Sequence, residues 1–315
     1  MGRFVVSRLA SSAMVAVAVT MFVFVAFFAL PRDDGQFARR TPSEYRLHGP
    51  MVGQYAHFVW RLLRHGDLGY SYATRQRVTT RLLEAAPVTL SLVAGGLVVW
   101  LLIAAPLGLL SALRPRSLLD RGASVLVFVG LSVHPVVLGL VLSWLLGHRL
   151  PLLPANGYCG LSSLSTGCDG PERWASHLIL PWLTFGIVNA ALFTMMIRAL
   201  VLEELDQEYV RTARAKGAGT ARVVRRHLLR NVSLPLVTMV GVQAGTSLAG
   251  VVFIETTFDL PGLGGMLRSA TQTRDLPLTA GSVLFFSLAI VALNLVVDVV
   301  YALLDPRIRS AAHAV

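Results

Sequence analysis

Lys216 is the only lysine in the 315 residues, and Gly217 follows it at once. A Gly-x4-Gly-Lys-Ser/Thr phosphate cradle therefore cannot form, so any ATP hydrolysis serving this chain occurs on another polypeptide. No His-Glu-x-x-His zinc motif occurs either. Cys159 and Cys168 stand nine residues apart; a local disulfide and two free thiols are both open, while two cysteines make a poor metal site. His134 lies in a long uncharged run beside Ser132 and Pro135, where an ionisable group is either a functional residue or a neutral packing residue. His177 reads as interfacial. The chemistry left to this sequence is mechanical and electrostatic, and it concentrates in 198–230.

That segment opens with Glu203, Glu204, Asp206 and Glu208, then turns basic through Arg211, Arg214 and Lys216. Acid early and base late is the order the helix macrodipole favours. Gly217 is a natural stop, Gly219 keeps the turn loose, and Thr220 can cap a second helix over 221–230. Helix, glycine turn and short helix suit three partners: DNA, an anionic lipid surface, or a pocket in a cytoplasmic protein. Tethers to the bilayer at both ends count against DNA.

The tethers follow from composition. Hydrophobic residues make up 54%, charged residues 14%, and mean hydropathy is +0.63, far from a soluble domain. Six runs without acid or base reach the ~20 residues that cross a bilayer: 9–31, 85–113, 122–147, 174–197, 231–254 and 276–297. The first run is too long for a signal-peptide core and lacks a small-x-small cleavage site, so it reads as a retained anchor. The expected fold is an all-α membrane protein with six transmembrane helices.

Arginines set the orientation. With both termini inside, the cytoplasmic pieces hold 15 of the 28 basic residues, and the short outer loops 148–173 and 255–275 hold four. The other nine lie in the outer stretch 32–84, long enough to translocate despite its charge. Met51, Val52, Tyr55, Val59, Leu62 and Leu63 recur at helical spacing there, with Arg61 and Arg64 between them. This surface helix would rest on the membrane or pack on other helices. In the fifth span Gly241 and Gly245 suit close helix packing; Gln243 there and Asn294 in the sixth are candidates for the lining of a path, and Asp298 sits near the inner interface.

The segment Glu208-Tyr209-Val210-Arg211-Thr212-Ala213-Arg214-Ala215-Lys216-Gly217 resembles the EAA loop of bacterial ABC importer permeases, in the version of the dipeptide, oligopeptide and nickel branch. Arg211, Thr212, Ala213 and Gly217 occupy the slots of Glu-Ala-Ala and its glycine. Gln54-Tyr55, Gly66-Asp67-Leu68-Gly69-Tyr70-Ser71, Pro87-Val88-Thr89-Leu90 and His177-Leu178-Ile179-Leu180-Pro181 follow the same family in order. So do Glu255-Thr256-Thr257-Phe258, Pro261-Gly262-Leu263-Gly264 and the closing Leu304-Asp305-Pro306-Arg307-Ile308-Arg309. The family's Pro-Gly-Asp-Pro after the first span departs to Pro31-Arg32-Asp33-Asp34.

The resemblance implies a type I ABC importer transmembrane domain in the bacterial plasma membrane, N-in and C-in, with a coupling helix between helices 4 and 5. It divides the chain into an anchor helix 1–31, an extracytoplasmic loop 32–77, the transmembrane domain 78–304 and a cytoplasmic tail 305–315. Implied partners are a homologous second permease, two cytoplasmic ATPases, an extracytoplasmic solute-binding protein and membrane lipid, with no nucleic acid. The chain would be no enzyme and hold no cofactor, ATP and Mg residing on the ATPases. Arg211, Thr212, Ala213, Lys216 and Gly217 would couple to the ATPases, and Glu255 and Phe258 would form an outer gate or meet the binding protein. The solute would be a di- or oligopeptide, or else nickel, haem or another small molecule. A secondary transporter and an intramembrane enzyme are the competing classes; neither an internal repeat nor an inward-facing nucleophile is evident.

Overall fold

The computed structural model describes residues 2–26, 50–161, 170–224 and 228–304. They are helical almost throughout: α1 Gly2–Phe24, α2 Met51–His65, α3 Val78–Leu113, α4 Leu118–Ser132, α5 Pro135–Leu142, α6 Gly170–Leu205, α7 Glu208–Ala215, α8 Thr220–Val223, α9 Leu229–Thr257, α10 Leu263–Gln272 and α11 Leu276–Leu304. A wider π-type turn, Ser143–Arg149, prolongs α5. Among the described residues five helices are long and apolar enough to cross a membrane, and a sixth span exists if α4 and α5 count as one. Several helices outrun the uncharged runs because charged residues continue the helix beyond the lipid. α6, for example, carries Glu203 and Glu204 in its last turn.

The third span differs from the sequence expectation of one continuous helix. α4 ends at Ser132, α5 begins at Pro135, and the two are bent by 112°. Proline at 135 explains the break: it has no N–H to continue the ladder and pushes the preceding residue into extended backbone. His134 accordingly has φ −65° and ψ 141°, and its Nδ1 accepts from the Val136 amide at 3.3 Å. His134 is thus a helix cap at a break, not a residue inside a continuous helix.

The chain forms two compact units, Met1–Leu90 with Pro261–Val296, and Ser91–Leu260 with Val297–Val315. In the first, α1 meets α2 where Phe24 packs on Tyr55 and Phe58, with ring centroids 5.5 and 5.9 Å apart. Leu68, Val78, Leu82, Leu278 and Leu284 extend this core. Asp275, 1% exposed, caps α11 and pins the loop before α3. Its carboxylate accepts from the Leu278 amide at 3.3 Å, the Ala73 amide at 3.0 Å and the Ser71 hydroxyl.

In the second unit, α3 and α6 approach closely through glycine. A Cβ on Gly95 would fall 2.1 Å from the Trp182 ring, and one on Gly96 2.6 Å from Phe185. The Trp182 indole N–H donates to the Ser91 carbonyl at 2.9 Å. Trp100, fully buried, stands edge-on to Phe193 at 4.7 Å. α4 joins α6 where Ala191 fills the space over Gly130, and where Arg198 Nε meets Asp120 at 3.0 Å. Gly241 lies against Val297, in the close packing its type suggests.

Candidate functional site

Between α6 and α9 the short helix α7 is held at three points. Its buried Val210, 0% exposed, anchors α7 on the protein. Tyr209, beside it, donates its hydroxyl to the Glu204 carboxylate on α6 and accepts from Asn231 Nδ2 on α9 at 3.1 Å. Partial burial, and then the bond to Glu204, pushes the Tyr209 phenol above its ordinary pKa, so the donor is intact at neutral pH. One side chain therefore ties α7 to both flanking long helices.

The acid-then-base order divides between two helices, because the chain breaks at Asp206 and Gln207. Glu203 and Glu204 close α6, and Glu208 opens α7. Only Glu208, at the start of α7, and Arg214, at its end, follow the macrodipole order within one helix. Gly217 adopts φ 81°. The Gly217 amide donates to Arg214 at 2.9 Å and the Ala218 amide to Ala213 at 3.1 Å, which is a Schellman close. Gly219, not Thr220, is the cap of α8, with extended backbone and no side-chain bond. The second helix is described as Thr220–Val223; Arg225, Arg226 and His227 of the expected 221–230 lie outside the described residues.

α7 turns its other face outward. Arg211, Thr212, Arg214, Ala215, Lys216 and Gly217 are exposed, Ala213 half-buried. Among the described residues, Arg211, Arg214 and Lys216 have no acidic side chain within ion-pair distance. The result is a cationic knob with a rigid turn.

The broken span opens on two adjoining cavities of about 240 and 380 Å³. Both are lined by Pro135, Val188, Asn189 and Gln243. Asn189 Oδ1 accepts from Gln243 Nε2 at 3.2 Å and from Ser247 Oγ at 2.6 Å, and Asn189 Nδ2 donates to the Phe185 carbonyl at 2.9 Å. Gln243 is therefore on a cavity wall, bonded to a residue that the sequence did not single out. Asn189 carries no local signal, since its partners are 54 and 58 residues away. Asn294 is exposed on α11, in the other unit. The Asp298 side chain lies outside the described residues.

Glu255 and Phe258 are 0% and 1% exposed. The Phe258 carbonyl accepts from the Gly157 amide at 2.9 Å, and its ring lies 3.1 Å from where a Cβ on Gly139 would be. Both side chains are thus enclosed within this chain; the Phe258 ring packs toward α5, and its carbonyl ties the turn after α9 to the 150–161 loop. Cys159 is buried and disulfide-bonded, with Sγ 3.8 Å from His177 Nε2; Cys168 lies outside the described residues. Among the described residues no group of His, Cys, Asp and Glu could hold a metal.

An all-helical, multi-span protein with a tethered surface knob and a polar cavity at a broken span is of the class of membrane transport components. The chain belongs to the family of binding-protein-dependent transport system inner membrane components, matching it over residues 104–310. It is 35% identical to the dipeptide transport system permease protein DppB of Escherichia coli over 284 residues, covering 85% of this chain and 84% of the relative. It is 34% identical to the di/tripeptide transport system permease protein DppB of Pseudomonas aeruginosa over 316 residues, 92% and 94% of the two chains. A probable peptide ABC transporter permease protein of Sinorhizobium fredii is 30% identical over 319 residues, 98% and 100% of the two chains. The chain is thus a non-catalytic, multi-pass permease of the inner membrane. It works with a binding protein and with ATPases that hold the ATP.

Proposed function

We propose that this permease imports di- or oligopeptides, delivered to its outer face by a solute-binding protein. The names of its relatives support peptides over nickel or haem. A homologous second permease completes the path, and two ATPases bind the cytoplasmic face. The four-part division of the chain at 31/32, 77/78 and 304/305 belongs to the same reading. So does a disulfide between Cys159 and Cys168, the only two cysteines.

The observation that carries the mechanism is the Tyr209 tether. When the ATPases close on ATP, a pocket on them grips the exposed face of α7, with Arg211, Thr212, Ala213, Lys216 and Gly217 as its contacts. The movement passes through Tyr209 and Val210 into α6 and α9 as a change of tilt. Those two helices also carry Asn189, Gln243 and Ser247, so tilt reaches the polar cavity directly. Gln243 and Asn294 line the path in this reading. Glu255 and Phe258 hold the outer turn as a gate from within.

Uptake of a labelled dipeptide into proteoliposomes holding the permease pair, both ATPases and the binding protein tests this. ATP-dependent uptake that falls when Gln243→Leu blocks the amide is expected. Equal uptake without ATP, or no uptake of any peptide beside robust uptake of nickel, would overturn it.

A further inference from the structure

α2 divides into three faces. Tyr55, Phe58, Val59 and Leu62 face the core that α1 shares, and Gln54, His57, Arg61, Arg64 and His65 form a polar face. Between them runs an apolar stripe with no cover among the described residues: Val52 is 80% exposed, Leu63 81% and Trp60 50%, with exposed Ala56 among them. Trp60 stands where the stripe meets the polar face. Arg64 lies over its ring at 5.4 Å, and His65 is edge-on at 5.3 Å.

Depth is set by α1. Its apolar window Ser7–Phe24 has 18 residues, about 27 Å of helix and nearly the thickness of the hydrocarbon core. Tyr55 bonds Thr20 at 3.0 Å, and Phe58 packs on Phe24, so α2 meets the last turns of that window. Its level is the membrane boundary. α1 carries exposed apolar residues of its own, Met14 at 69%, Met21 at 56% and Phe22 at 70%. An apolar stripe, a tryptophan at its edge and a cationic flank with no acid in α2 complement an anionic lipid.

We propose that α2 lies in the plane of the outer lipid–water interface and binds an anionic phospholipid. Val52, Ala56 and Leu63 enter the acyl region, Trp60 sits at the glycerol level, and Arg64 meets the phosphate. α2 is then a lipid-held float that fixes the outer end of α1. This holds whichever solute is carried, since it uses no residue of the coupling segment or the cavity.

The test reconstitutes the full chain in nanodiscs of phosphatidylcholine with a quarter phosphatidylglycerol, using lipids brominated high or low on the acyl chain. Trp60 emission is the difference between wild type and Trp60→Phe, and Leu63→Trp in the Trp60→Phe background is a second reporter. Bromines high on the chain should quench Trp60 about twofold more than low ones, as for a helix lying in the interface. Arg64→Gln should lower the phosphatidylglycerol retained per chain in native mass spectrometry. Quenching of both reporters by aqueous iodide and not by either bromolipid would overturn the proposal. So would loss of bromine quenching once the second permease is co-assembled, which would make this face a subunit interface.

Discussion

The hydroxyl of Tyr209 donates to the carboxylate of Glu204, across the break that separates α6 from α7. Two adjacent helices could swivel about residues 206 and 207 without this bond. With it, and with Asn231 on the other side, displacement of α7 must move a membrane-crossing helix.

Tyr209→Phe should therefore uncouple more than it unfolds. A hydrogen bond to a charged group contributes about 1.5–3 kcal/mol, and less where water reaches it as here, so the melting temperature should fall only slightly. Peptide transported per ATP hydrolysed should fall several-fold. The raised phenol pKa places the bond's contribution below the ordinary tyrosine pKa, with loss only as pH rises through the raised value. Between pH 6 and 8, coupling in the wild type should thus not vary through Tyr209. Unchanged stoichiometry in Tyr209→Phe would contradict the tether.

Gly217 has open space where a Cβ would go within this chain, so what the fold itself requires there is the left-handed conformation. Left-handed backbone costs an L-residue roughly 1–2 kcal/mol, least for asparagine. Transport should fall in the order glycine, asparagine, alanine, valine at matched membrane levels. An order set by side-chain volume instead would point to a steric contact.

His134 serves α5 as a cap, and loss of a cap costs about 0.5–2 kcal/mol. His134→Ala should lower the detergent melting temperature, and His134→Asn, another cap former, should restore it. Failure of asparagine to rescue would give the imidazole a different role.

Gly95→Leu should be the most damaging change in the membrane region, because Trp182 occupies the space of even a Cβ. Overpacking by a well-filled core costs about 1–3 kcal/mol or more. Reduced membrane yield, partly recovered by Trp182→Ala, is expected. Normal yield of the single variant would contradict the α3–α6 contact.

Much of this was legible from residue type. Gly217 declared its turn because few residues tolerate positive φ, and the spans declared themselves because lipid excludes charge. Pro135 was also in plain view, yet an uncharged run of full length reads as one helix unless the proline's missing N–H is weighed against it. What could not be read were bonds between distant positions. Asn189 gains its meaning from Gln243, and Ser71 from Asp275, 204 residues away. The Tyr209 tether was hidden for a related reason: its acceptor, Glu204, looked like part of the same helix.

The central claim is that ATPase movement enters the permease through α7. Ala215 is exposed there, and Ala215→Cys can be joined to single cysteines on the ATPases with a short bis-maleimide in native membranes. Crosslinking should arrest ATP-driven peptide uptake, with cleavable linkers restoring it on reduction, and its yield should change between nucleotide-free and ATP-trapped states. Uptake that continues through a complete crosslink, or no crosslink to any ATPase in either state, would contradict it.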